Sequence, residues 1–320
     1  MQLRDYQIEI ANKAVDVLTN KYIVYLSMEV RTGKTLTSLE TAKLFGAKDV
    51  LFLTKKKAIT SILKDYKDFD YTFNLTVINN ESLHLTNGNF DLIISDEHHR
   101  CGTYPKPNKV TKLIKQRYSK LPMIFLSGTP HPESFSQIYH QFWISENSPF
   151  KNWSNFYKFA QVFVNVVQNN FGYAKVNDYS NCNYEKIKPL MDEYFIIFTQ
   201  KEAGFTSEVK ENILRVKMSD YTYSVISRLK KDKVIQGKNE VILADTAVKL
   251  MSKVHQLYSG TVKFESGNTM VIDHSKATFI KDKFKEKIAI FYKFQAEYDA
   301  LKNIYKDDLT DNLEEFNTTD

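Results

Sequence analysis

Five short apolar runs constrain this chain more than any other feature: YIVYLS at 22–27, DVLFLT at 49–54, FNLTVI at 73–78, DLIISD at 91–96 and MIFLSG at 123–128. Each is rich in Ile, Val, Leu and Phe, and the segments between them are polar or compatible with helix. Runs of this length and spacing are what a parallel sheet covered on both faces produces, so the first part of the chain is expected to be α/β. Ligands of such sheets gather at the carboxyl ends of the strands. The residues just past each run are therefore the first place to look for chemistry.

Directly after the first run comes Glu29-Val-Arg-Thr-Gly-Lys-Thr35, which opens the helix-compatible stretch LTSLETAKLF. A loop placed there turns backbone N–H groups and the positive end of a helix toward an anion. Gly33 lets the backbone approach phosphates, Lys34 can reach the β and γ phosphates, and the Thr35 hydroxyl can ligate Mg2+. Met28 stands where such loops usually carry their first glycine. The fourth run ends in Asp96-Glu97-His98-His99. Asp96 can hold a metal through its water shell, and Glu97 can accept a proton from an attacking water. The fifth run ends in Ser127-Gly128-Thr129-Pro130, whose hydroxyls could bond His99 or Glu97. A lone Gly-Lys-Thr turn, an acidic strand end or a Gly-Pro turn is commonplace. Their order behind one another is what favours a phosphate-handling site.

The remaining composition sets limits. A length of 320 residues fits two domains, and 44 basic against 38 acidic residues is a modest surplus that suits a polyanion-binding protein. Cys101 and Cys182 have no partner spacing, so neither a disulfide framework nor a zinc site is expected. No apolar stretch is long enough to cross a bilayer, and a cytoplasmic, non-membrane protein is the expectation. Beyond Pro130 the sequence turns aromatic-rich and mostly helical, as in NWSNFYKFAQVFVNVV, with YFIIFTQ at 194–200 a candidate extra strand for the first sheet. Phe156, Phe159 and Phe163 have helical spacing and read as core, while RLKKDK at 228–233 reads as a solvated helix face. Turns at 236–239 and 266–268 suggest two small hairpins around the helix ADTAVKLMSKVHQLYSG. Near Ser275 a second α/β unit is expected to begin, as helix SKATFIKDKFKE, strand KIAIFYKF and helix AEYDALKNIY.

The ordered series LRDYQ at 3–7, MEVRTGKT, DEHH and SGTP resembles the superfamily 2 helicases and translocases, and within them the Swi/Snf-type DNA-dependent ATPases as found in phage genomes. FTQKEAG, ILRVKMSDYTYSVISRL and KIAIFYKFQAEYDAL resemble later parts of that family. The resemblance implies a RecA-like doubly wound parallel sheet (a P-loop NTPase) at 1–150, a mostly helical region with small hairpins at 151–272, and the beginning of a second RecA-like lobe at 273–320. It implies ATP and Mg2+ as cofactors. Gln7 would read the adenine edge, and Arg31, Thr32, Gly33, Lys34 and Thr35 would surround the phosphates. Lys34, Asp96 and Glu97 would be catalytic, with Thr35 and Asp96 on the metal. His99, Ser127 and Thr129 would couple the metal site to the neighbouring turn. Thr54, Lys55, Lys56, Asn80 and Ser82 would contact nucleic acid, with double-stranded DNA the favoured partner. Arg31 departs from the family, which usually has glycine there, and proline is more usual where Lys55 stands. The activity implied is ATP-driven movement on DNA; the alternatives are an unwinding helicase or a nucleotide-dependent DNA-binding module. Relatives draw an arginine from the second lobe onto the γ-phosphate, whereas the last arginine here is Arg228. Slow hydrolysis is therefore expected of this chain, unless a second polypeptide completes the lobe.

Overall fold

A computed structural model describes residues 2–171, 174–206 and 210–318, and the chain divides into two compact units, Met1–Glu208 and Val209–Asp320. In the first unit helix and strand alternate as α1 (Asp5–Lys21), β1 (Ile23–Met28), α2 (Lys34–Phe45), β2 (Asp49–Thr54), α3 (Ile59–Asp68), β3 (Asn74–Asn79), β4 (Leu92–Ser95), α4 (Lys109–Tyr118) and β5 (Met123–Ser127). The chain continues through α5 (Ile138–Trp143), α6 (Phe156–Phe163), the hairpin β6 (Val167–Phe171) and β7 (Ala174–Asp178), α7 (Tyr184–Met191) and β8 (Phe195–Phe198). Six strands form one sheet in the order β3-β2-β4-β5-β1-β8, and every neighbouring pair is parallel.

Period-two alternation along the strands builds two cores, one on each face. Ile23, Tyr25, Leu51, Leu53, Ile93, Met123 and Phe125 pack with residues of α4, α5, α6 and α7. Val24, Leu26, Val50, Phe52, Leu92, Ile94, Ile124 and Leu126 pack with residues of α1, α2 and α3. Both faces are thus covered by helices, which is the RecA-like doubly wound arrangement. Burial of each large apolar side chain stabilises by roughly 1.5–3 kcal/mol. With both faces dry, polar chemistry is confined to the strand ends.

The helix α6 stops at Phe163, short of the longer helix expected, and its stripe Phe156, Phe159, Ala160 and Phe163 is buried. The segment after it is β-branched and amide-rich, with Val166 and Val167 exposed. It has no apolar stripe to bury as helix and pairs as the β6–β7 hairpin instead.

The second unit contains α8 (Asp220–Asp232), the hairpin β9 (Val234–Gln236) and β10 (Val241–Leu243), α9 (Ala247–Tyr258), the hairpin β11 (Thr261–Lys263) and β12 (Thr269–Val271), α10 (Ser275–Lys283), α11 (Gln295–Tyr305) and α12 (Leu313–Thr318). Its small core joins Ile226 and Leu229 of α8 to Ile242, Ala244, Leu257 and Val262. The segment KIAIFYKF, expected as a strand, has no β pairing here, and Phe291 within it is 96% exposed. A strand needs a ladder partner, and the strands of this unit are used up in two-stranded hairpins.

One buried carboxylate holds the starts of α8 and α10 together. Asp273 Oδ2 accepts from Ser219 N (2.8 Å), Ser219 Oγ (2.7 Å) and Thr222 Oγ1 (2.6 Å), while Oδ1 accepts from Ser275 N (2.8 Å). Burial by itself would raise the pKa of this carboxyl, but the hydrogen bonds outweigh it and hold the group well below the usual carboxylate range. A depressed native pKa means a stabilisation fully present above the unfolded-state value and lost as pH falls beneath it. Asp273→Asn should lower the stability of the second unit by about 1–3 kcal/mol at neutral pH. Urea unfolding followed from pH 7 downward should show the wild type losing its advantage over the variant below about pH 4.

Candidate functional site

The site is assembled where β1, β4 and β5 end, because these three strands adjoin in the sheet. The loop after Met28 rises from β1 and re-enters the fold at Gly33, whose φ of 84° caps α2. Arg31 is exposed, with φ 65°, a left-handed backbone that explains why glycine suits that position in similar loops. Thr32 is buried, and its hydroxyl donates to Glu29 O at 2.7 Å. Lys34 and Thr35 open α2 and are half-buried. Lys34 Nζ donates to the carbonyls of Met28 (2.9 Å) and Glu29 (3.2 Å), the last acceptors of β1 and its loop. Burial lowers the Lys34 pKa, against the pull of the Asp96 and Glu97 carboxylates. The ammonium therefore sits within the field of both acids.

Asp96 follows β4, and burial raises its pKa, as does the neighbouring Glu97 charge. Thr54 Oγ1 donates to Asp96 Oδ2 at 2.8 Å and Glu97 N donates to Oδ1 at 2.9 Å, fixing the carboxylate in place. Glu97 takes φ 49°, an uncommon backbone for a non-glycine residue that turns the chain sharply at the strand end. Its Oε1 lies 3.2 Å from Lys55 Nζ and its Oε2 lies 3.4 Å from His99 Nδ1. His99 Nδ1 is also 2.9 Å from Ser127 Oγ, and Thr129 N donates to the same hydroxyl oxygen at 3.1 Å. Burial lowers the His99 pKa, so the ring is neutral at pH 7.

These contacts bring together Lys34, Asp96, Glu97, His99, Ser127 and the Thr129 backbone. Gln7 meets the loop from α1. It is 4% exposed, its Oε1 accepts from Arg4 N at 2.9 Å and its Nε2 donates to Gly33 O at 3.3 Å. The structure places Thr54 fully buried beside Asp96, and not at the open surface with Lys56. Lys55 is half exposed and faces Glu97. Asn80 lines a cavity of about 440 Å3 that also reaches Asp96, Glu97, Arg100 and Lys109. Ser82 is half-buried nearby in the same short 3-10 segment, Asn80–Leu85.

Some of the site was not legible from motifs. Tyr6 donates its hydroxyl to Thr32 O at 3.1 Å and stacks on Phe198 of β8 at 4.7 Å between ring centroids. Gln200, just past β8, donates Nε2 to Val30 O (2.9 Å) and its backbone N to Glu29 Oε2 (2.7 Å). LRDYQ signalled Tyr6 only as a neighbour of Gln7, and FTQKEAG carried Gln200 without assigning it a contact.

The donor set fits Mg2+ bound to a nucleotide. Mg2+ takes hard oxygen ligands and keeps several waters, needing only one or two protein groups beside phosphate. Asp96 and the Thr35 hydroxyl supply oxygens of that kind, and among the described residues no group of three or more His, Cys, Asp or Glu forms a protein cage for a metal. A cation there would also relieve the burial that raises the Asp96 pKa.

Residues 1–78 match the family model described as type III restriction enzyme, res subunit. No curated protein is similar enough to this chain to count as a match. Among solved structures, the Sulfolobus solfataricus SWI2/SNF2 ATPase core in complex with dsDNA is similar over 96% of this chain and 70% of that one, with a TM-score of 0.51 and 14% identity. A nuclease-deletion mutant of the type ISP restriction-modification enzyme LlaGI, in complex with a DNA substrate mimic, is similar over 41% of this chain and 18% of that one, with a TM-score of 0.31 and 18% identity. At 14% identity the first likeness establishes the fold.

Gly33→Ala tests the loop geometry. A Cβ at Gly33 would stand 2.2 Å from Gln7 Nε2, on a backbone that L residues avoid. The variant should lose about 1–3 kcal/mol of first-unit stability, read by chemical denaturation, and should bind nucleotide more weakly, read by calorimetric titration.

Proposed function

We propose that this chain is the ATP-hydrolysing part of a superfamily 2 motor that moves along double-stranded DNA. The observation that carries the reading is the convergence of one ammonium and two carboxylates, Lys34 at the start of α2 and Asp96 and Glu97 just past β4, at the strand ends of a RecA-like sheet. Type III restriction enzyme likeness at 1–78 and the fold shared with a DNA-bound SWI2/SNF2 core support it.

On this reading Lys34 leaves the Met28 and Glu29 carbonyls to hold the β and γ phosphates, which restores the charge pairing that burial disfavours. Bound Mg2+ supplies neutralisation of the phosphate charge. Thr35 and Asp96 hold that cation, with Thr54 fixing the angle of the Asp96 carboxylate. Glu97 takes the proton of the attacking water, and His99 links it to Ser127 and Thr129. Tyr6 and Gln7 support the loop, and Gln7 would have to exchange its bonds to Arg4 N and Gly33 O to read the adenine edge. Lys55, Lys56, Asn80 and Ser82 meet the DNA backbone, giving binding that is independent of sequence and weakened by salt. Lys55 would then serve both the track and Glu97.

Steady-state ATP hydrolysis with and without duplex DNA tests this. Lys34→Ala and Glu97→Gln should each lower turnover by about a hundredfold or more, with Glu97→Gln still binding ATP. Duplex should stimulate the wild type, and the stimulation should fade as salt rises. Wild-type turnover in Lys34→Ala, or indifference to DNA at low salt, would remove the motor reading. Turnover of this chain by itself should be slow, and triplex displacement without strand separation should appear only when a second polypeptide completes the second lobe.

A further inference from the structure

Between the two catalytic turns lies a buried polar circuit of which the motifs announce His98 alone. It centres on Gln141 of α5, which is fully buried on the apolar face of the sheet that carries Tyr25 and Phe125. Gln141 Nε2 donates to Pro130 O (2.7 Å) and Gln137 O (3.2 Å), and Oε1 accepts from Tyr25 Oη at 2.7 Å. The amide has only one workable orientation, because turning it over would set its oxygen against two carbonyls. Burial pushes the Tyr25 hydroxyl well above its usual pKa, so it stays protonated and donates.

The backbone of the same residue reaches the acidic turn. His98 Nε2 lies 3.0 Å from Gln141 O, and Nδ1 lies 2.8 Å from Ser95 Oγ. A carbonyl only accepts, so Nε2 carries the proton and Nδ1 accepts from the serine. Burial drives the His98 pKa down to about 3, leaving a neutral ring that stacks on Phe125 at 3.7 Å between centroids. Gly102 closes the turn flush against α5: a Cβ there would lie 2.6 Å from Gln137 O and 2.9 Å from Gln141 Nε2.

We propose that Gln141 and His98 are positioning residues, which lock the Asp96-Glu97 turn and the 127–130 turn into one rigid frame. His98 is the residue next to Glu97, and Pro130 is next to Thr129, so each tether acts one residue from a group in the site. Neither side chain faces the space at the strand ends, and both act through what they hold. The inference rests on the ATP-hydrolysis reading for its kinetic consequence, though the tether itself is a statement about the fold. A loosened frame would leave the phosphate loop able to bind ATP while Glu97 loses its aim at the water.

The test compares Gln141→Leu, His98→Leu, His98→Gln and Tyr25→Phe in the full chain, by ATP turnover and by amide hydrogen exchange at 97–102 and 127–129. Gln141→Leu and His98→Leu should lower kcat about tenfold or more while KM for ATP stays within about twofold. His98→Gln retains a donor for Gln141 O, and should recover kcat to within about threefold of wild type. Exchange should quicken in both turns together in Gln141→Leu, and in Tyr25→Phe, which deletes one hydroxyl and keeps the fold should Gln141→Leu not form. Unchanged exchange at 127–129 in these variants, or unchanged kcat in Gln141→Leu, overturns the proposal. Lys34→Ala run alongside separates the two claims: if it turns over ATP as the wild type does, the ATP reading fails, while the exchange data still decide whether Gln141 ties the turns.

Discussion

Burial of the central strands on both faces is the constraint on which the rest of the structure depends. Residues of β1, β2, β4 and β5 face apolar helices above and below, so a charged group within them would be left without water or partner. Polar function is pushed to the ends of the strands. There Thr54, Ser95, Asp96 and Ser127 stand at the ends of adjacent strands, and the loop from Glu29 to Thr35 leaves β1 beside them. A site of this kind needs no separate scaffold, since the sheet that gives stability also sets the spacing of the charges.

Electrostatics within the site come from the same burial. Burial makes Lys34 less basic than an ordinary lysine and Asp96 less acidic than an ordinary aspartate, against their mutual attraction, so a further opposite charge brought to either would be stabilising. On the proposed function that further charge is a ligand of both signs, an anionic phosphate chain with a cation upon it. Glu97 is paired with Lys55 across the turn, in a backbone conformation that few non-glycine residues adopt. Strain and pairing together distinguish this turn from an ordinary strand end, as the proposed function requires.

The sheet was legible because five apolar runs carried a strong local signal, and each became a strand. The loop from Glu29 to Thr35 and the two turns stood out because the chemistry proposed for them depends on residue types at short spacing. The contacts of Gln141, His98, Tyr6 and Gln200 were not legible, although the last three stand inside quoted motifs, since a buried amide or ring takes its role from contacts with residues far away in the chain. Gln7 gained a second meaning in the same way: as the third residue of α1 it reaches back to Arg4 N, a local cap that the motif concealed. The strand expected at KIAIFYKF failed for the opposite reason. Its local pattern was strong, but a strand exists only where a neighbour completes its ladder.

Lys34 Nζ rests on the carbonyls of Met28 and Glu29, and the proposed chemistry requires it to exchange both of them for phosphate. A high-resolution structure of the chain with Mg2+ and a non-hydrolysable ATP analogue tests this directly. The triphosphate should lie at the start of α2, with Lys34 Nζ moved from both carbonyls onto phosphate oxygens and the metal between Thr35 and Asp96. A nucleotide bound elsewhere, or Lys34 still on Met28 O beneath it, would contradict the proposed role of the loop.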